Sequence, residues 1–193
     1  MAERMAAEIW IGGKIPEIAV SDLCAAIVQQ GVCLEWGDEF FHPDSGDDLL
    51  SAVRLNREGV EVLCLCYEQA RWGEFETLEP FLQRYEIPFT RLTAGNYEYD
   101  CERVEFRPDS GRVGYVTNGE GEPVISGAKV REVERLLTRA LTSSGPRSCK
   151  RLETTLQRAR SKLRQALPPS VSPLPAFDVE ASMVCSCSCS SSC

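Results

Sequence analysis

Apolar and polar positions alternate along the first 142 residues in runs that predict strands and helices in turn. AEIWIGGKI (7–15) groups Ile9, Trp10 and Ile11 as strand formers, and Gly12-Gly13 ends or bulges that run. Pro16 then suits the start of a helix. Ile18, Ala19, Leu23, Ala26 and Ile27 recur at helical spacing, and Gly31 stands where a helix stops. VCLEW (32–36) reads as a second strand. SGDDLLSAVRLN (45–56) reads as a helix with Ser45 at its N-cap and Asp47 and Asp48 against the first-turn dipole.

VEVLCLCY (60–67) is the most hydrophobic strand, apolar on both alternating sets, which predicts cover on both faces as at the centre of a parallel sheet. LEPFLQRYE (78–86) reads as a helix capped by Thr77, and PFTRL (88–92) as a fourth strand. After Gly95 the parity of apolar positions changes within YEYDCERVEF, so a break is expected near Asp100–Glu102. The turn-rich RPDSGR and TNGEGEP then make 103–125 an antiparallel meander, and 126–141 a helix. The expected fold is α/β: a mainly parallel sheet of about four strands with crossover helices, extended by a short antiparallel meander.

The expected domain spans residues 1–142. Residues 143–167 follow as a linker and a basic amphipathic helix with a leucine seam. Residues 168–193 have the composition of a disordered Pro/Ser/Cys-rich tail. No run approaches the ~20 apolar residues of a membrane-spanning helix, and the N-terminus has no secretory pattern. A cytoplasmic protein with reduced thiols is therefore expected, and its ten cysteines imply no disulfide framework.

Charge divides the chain where the pattern does. The formal net charge of −8 splits into −14 for residues 1–128, +8 for 129–168 and −2 for the remainder. Arg147, Lys150, Arg151, Arg158, Arg160, Lys162 and Arg164 form an interaction arm suited to an unidentified protein or anionic partner. Without aromatic interleaving or a reading motif, sequence-specific nucleic-acid recognition is not supported.

The candidate chemistry is sparse. Cys64 and Cys66 share one strand face and have no second paired set at zinc spacing, so they read as small packing residues. Cys185, Cys187, Cys189 and Cys193 could wrap a soft metal ion, against the plainer reading of a low-complexity tail. Gly12, Gly13 and Lys14 follow a strand and precede a helix, where amides can cradle phosphate, though without Walker or dinucleotide spacing. His42 stands among Asp38, Glu39, Asp44, Asp47 and Asp48, acids that a helix start explains in part. Glu98, Asp100 and Glu102 read as solvated turn carboxylates, and Trp36, Trp72, Tyr97 and Tyr99 as core anchors.

No cofactor is predicted, and no catalytic set emerges. The first functional expectation is a non-enzymatic intracellular interaction module with an acidic body and a basic arm. The alternatives are a small phosphate- or nucleotide-handling enzyme using the Gly-Gly-Lys turn, and soft-metal binding by the tail.

Overall fold

Strand β1 (Arg4–Ile11) alternates Ala7, Ile9 and Ile11 with Glu8 and Trp10, and the two sets enter two different layers. The computed structural model describes residues 3–96, 99–142, 149–166 and 171–180. After β1 come β2 (Gly13–Ile15), α1 (Glu17–Gln30), α2 (Gly46–Ser51), β3 (Val53–Leu55), β4 (Glu61–Arg71), α3 (Leu78–Arg84) and β5 (Phe89–Thr93). Next are β6 (Cys101–Arg107), β7 (Gly111–Thr117), α4 (Gly127–Thr142), α5 (Cys149–Ala166) and β8 (Phe177–Val179).

The sheet is antiparallel, which corrects the parallel arrangement expected from the sequence. Six strands run in the order β3-β4-β1-β5-β6-β7, and every neighbouring pair is antiparallel. Among the described strands only the separate β2–β8 pair is parallel. The reason lies in what strand–helix alternation encodes. Strands β4 and β5, joined through α3, do run parallel, but β1 lies between them and opposes both. This is a split β–α–β unit, and the pattern of a single chain does not reveal the inserted strand.

Two element boundaries also move. The helix expected over 45–56 stops at Ser51, and Val53–Leu55 become an edge strand joined to β4 by a turn at Asn56–Gly59. The strand expected at 32–36 contributes only isolated bridges, from Cys33 to Cys66 and to Phe40. Ser45 caps α2 as expected, in a reciprocal capping box with Asp48. Thr77 does not cap α3 with its side chain. Instead the buried Gln30, at the end of α1, accepts hydrogen bonds from the amides of Thr77 and Leu78 at 2.8 and 3.2 Å.

Helices α1 and α3 cover the Ile9 face. Leu23 and Ile27 of α1 and Leu78 and Leu82 of α3 pack with Ile9, Ile11, Leu63, Leu65 and Phe89, all fully buried. An ion cluster is set into the same layer. Arg91, 1% exposed, donates to Glu79 at 2.8 Å and to Glu102 at 2.5 Å, and Arg112 lies 3.6 Å from the second oxygen of Glu79. Glu102 is thus a half-exposed strand residue paired with Arg91 and not a turn acid.

Residues 171–180 lie within the stretch read from sequence as tail, and they run back over the body. Leu174 packs on Trp10 and Val62, Phe177 enters the main core, and β8 pairs with β2. Gly12 is explained here. A Cβ at that position would sit 2.1 Å from the carbonyl oxygen of Pro175. Among the described residues no helix is long and apolar enough to cross a membrane.

Arg91→Met is expected to lower unfolding stability by about 3–5 kcal/mol in urea denaturation, because Glu79 is left charged and buried. Adding Glu79→Gln should recover part of that loss. Truncation after residue 170 removes Leu174 and Phe177 and should cost roughly 3–6 kcal/mol by the same measurement.

Candidate functional site

The described apolar cluster on the Glu8 and Trp10 face of the sheet, Trp10, Val62, Cys64 and Leu174, includes no helix residue. Register sets the floor of this face in two rows across the strands. One row is Cys66, Glu8, Leu92, Arg103 and Tyr115, and the other is Cys64, Trp10, Thr90, Glu105 and Val113. Period-two alternation puts both thiols on this face, as the sequence implies. Both are buried, as packing residues are, yet the layer above them is loop and extended chain with a cavity left between.

That cavity, about 520 Å³, is lined by Glu8, Trp10, Trp36, Arg54, Cys64 and Cys66 among others. It adjoins a second of about 140 Å³, and Glu8, Trp36 and Arg57 line both. Such a volume is in the range that holds a small organic molecule. Trp36 forms part of the wall and is 48% exposed, so it is not the core anchor expected of it. Arg54 holds the wall together. Its guanidinium donates to the Leu34 carbonyl, to Glu35 at 3.3 Å and to the Cys64 carbonyl at 3.5 Å. Arg57 donates to the neutral carbonyl of Glu120 at 3.3 Å and has no carboxylate partner among the described residues.

The sulfur partners differ within the site. Cys64 Sγ donates to Glu8 Oε1 at 3.4 Å, while Trp10 Nε1 donates to the same oxygen and fixes the carboxylate. Cys33 Sγ lies 3.4 Å from the Cys66 carbonyl. Cys66 Sγ lies 3.9 Å from the Leu34 carbonyl, and the neighbouring Cys66 thiol lowers the pKa of Cys64, against burial and the Glu8 charge. The neighbouring Cys64, with burial, raises that of Cys66. Cys33 is pushed up by burial and by Glu68 and Asp38.

Further along the floor, Arg103 bonds Glu105 at 2.6 Å and Glu58 at 2.8 Å and stands 5.9 Å over the Trp10 ring. Tyr115 donates to Glu105 at 2.9 Å. Burial and this carboxylate push its hydroxyl up to about 12, against the pull of Arg103. Arg107, 3% exposed, has its donors met by the carbonyls of Phe89, Phe106 and Ser172 and by Thr90 Oγ1.

The expected phosphate turn is otherwise engaged. The Gly12 amide donates to Pro88 O at 3.1 Å, and the Gly13 amide to Pro175 O and Ala176 O at 3.1 and 2.9 Å. Lys14 pairs with Glu180 at 3.4 Å. A phosphate there would have to displace β8. Of the acids around the exposed His42, Asp48 serves the α2 cap: it accepts from the amides of Asp44 and Ser45 and from Ser45 Oγ, and the first of these bonds lowers its pKa most. Among the described residues no group of three or more His, Cys, Asp or Glu is placed to hold a metal ion. Cys185, Cys187, Cys189 and Cys193 lie outside the described residues, as do Tyr97 and Glu98. Trp72 and Tyr99 meet edge to face at 5.7 Å and stay 42% and 40% exposed.

The basic arm is half of a helical hairpin. Helices α4 and α5 pack on each other more closely than either packs on any other element. Glu132 and Lys162 bond across them. Val130, Leu137 and Leu156 remain exposed, and so do Lys129, Arg131, Arg135, Arg158 and Arg160. Arg147 lies outside the described residues, and so do the side chains of Lys150, Arg151 and Arg164.

Reading the sequence missed Glu8, Arg54 and Arg57 as neighbours of the thiols. One signal was present: Glu8 interrupts an apolar strand at the parity of Trp10.

Tyr115 protonation gives a pH dependence of stability. A hydroxyl whose pKa is higher folded than unfolded favours the fold below the unfolded value, near 10, and loses that advantage as pH rises to about 12. The wild-type urea midpoint should therefore fall more steeply over that interval than that of Tyr115→Phe. No family model, curated protein or solved structure matches this chain.

Proposed function

We propose that this chain is a non-enzymatic interaction module whose α4–α5 hairpin docks on an acidic protein surface. The observation carrying the reading is the hairpin's combination of exposed apolar side chains, Val130, Leu137 and Leu156, with exposed Lys129, Arg131, Arg135, Arg158 and Arg160. Apolar groups left in water gain by contact with a partner's apolar surface, which nucleic-acid phosphate does not offer. The arginines select the sign of the surroundings and speed encounter. The body of the protein is itself strongly acidic, so a partner of like charge must be approached arm first.

Affinity capture with the intact chain from its native cells should retain an acidic protein. Its retention should fall at least about tenfold, equivalent to ~1.4 kcal/mol, in Leu137→Asp and in the Arg131→Glu, Arg135→Glu double variant. Helix content by circular dichroism should stay unchanged in both. Capture of nucleic acid in a salt-sensitive manner, or indifference to Leu137→Asp, would overturn the reading.

A further inference from the structure

We propose that Cys64 is a nucleophilic thiol on the floor of the second-face cavity, and that small soft electrophiles of the α,β-unsaturated carbonyl class are its reaction partners. Three described cysteines are almost equally covered: Cys24 at 5%, Cys33 at 6% and Cys64 at 7% exposure. Their hydrogen-bond partners separate them. Cys24 faces the carbonyl of Ser45 at 3.8 Å and Cys33 that of Cys66 at 3.4 Å, neither of which can accept a proton outright. Among the described cysteines Cys64 alone directs its sulfur to a carboxylate, Glu8 Oε1 at 3.4 Å. It also lines an open volume of about 520 Å³, enough for a reacting molecule.

The groups around the sulfur are balanced for addition. Glu8 Oε1 is held by Trp10 Nε1 and accepts from Cys64 Sγ at 3.4 Å, so a fixed base stands beside the thiol. The Arg54 guanidinium reaches the Cys64 carbonyl and adds positive charge, part of which Glu35 offsets. In the step itself the Cys64 proton passes to Glu8 Oε1 and the sulfur lone pair forms a bond to the β-carbon. The C=C π pair moves to the carbonyl as an enolate, and the α-carbon then takes the proton back from Glu8. Nothing is oxidised or reduced, and no co-reactant is required.

A Cys64–Cys66 disulfide is not the alternative. Residues two apart on an extended strand have Cα atoms about 6.6 Å apart with parallel side-chain bonds, whereas a disulfide needs Cβ atoms at roughly 3.5–4.5 Å.

The test uses the full chain and N-ethylmaleimide at pH 7, with the rate at each cysteine read by isotope-coded labelling and peptide mapping. Cys64 should be alkylated at least about tenfold faster than Cys24 and Cys33, because its sulfur alone of the three has both a carboxylate acceptor and an open volume beside it. Glu8→Gln should slow Cys64 and leave Cys24 unchanged, which also shows that the fold is retained. Equal rates at the three thiols, the mark of labelling through global unfolding, would overturn the proposal. Undiminished Cys64 labelling in Glu8→Gln would overturn the proton transfer on which it stands.

Discussion

Antiparallel pairing of β1 with both β4 and β5 is the constraint on which the rest of the molecule depends. A strand hydrogen-bonded on both edges can differ only between its faces, and β1 uses that freedom fully. Ala7, Ile9 and Ile11 require an apolar cover, which α1 and α3 supply. Glu8 and Trp10 require polar partners, and they find them in Cys64, Arg103 and the loop bearing Trp36. A helix layer over this second face would bury Glu8 without water or sufficient donors, at a cost of several kcal/mol. The cavity is therefore the consequence of a charge placed at the wrong parity for a closed core.

Charge is nonetheless buried on both faces, and by different means. Arg91 lies among carboxylates from a helix, a strand and a loop, so its partners tie α3 and β6 to β5. Arg107 has no direct carboxylate contact among the described residues and is satisfied by carbonyl dipoles and one hydroxyl. The first arrangement is expensive to break from either side, because each survivor is an uncompensated ion. The second is cheaper in charge but demands that four acceptors converge, one of them Ser172 from the returning segment. Two arginines thus fasten the periphery of the sheet to its centre.

Much of the element pattern was legible, while the pairing was not. The strands at Ile9, Cys64 and Phe89 and the helices from Glu17 and Leu78 follow from local periodicity, which every residue in the run reports. Parallel against antiparallel depends on where β1 inserts, and no residue of α3 or β5 carries that information. The β3 strand was hidden because Val53 and Leu55 continue a helical apolar stripe as readily as they begin a strand. Residues 171–180 were hidden by composition. Proline and serine suggest a free tail, yet Leu174 packs on Trp10 beside Gly12, and Phe177 enters the main core. The thiol site was half legible: the shared face of Cys64 and Cys66 is a matter of counting, but the approach of Glu8 and Arg54 is a matter of register.

The return of residues 171–180 changes what the arm is. A helix followed by a free tail would be a tether with one fixed end. Here the hairpin leaves the body after the meander, and only a short stretch separates Ala166 from the segment whose Ser172 meets Arg107 and whose Leu174 covers Trp10. Anchoring both ends lowers the conformational entropy that the arm would otherwise lose on docking. It also sets the arm's second attachment against the same Trp10 that floors the thiol cavity. The two surfaces on which this chain could meet other molecules therefore share one structural support, and it is the polar face of β1 that provides it.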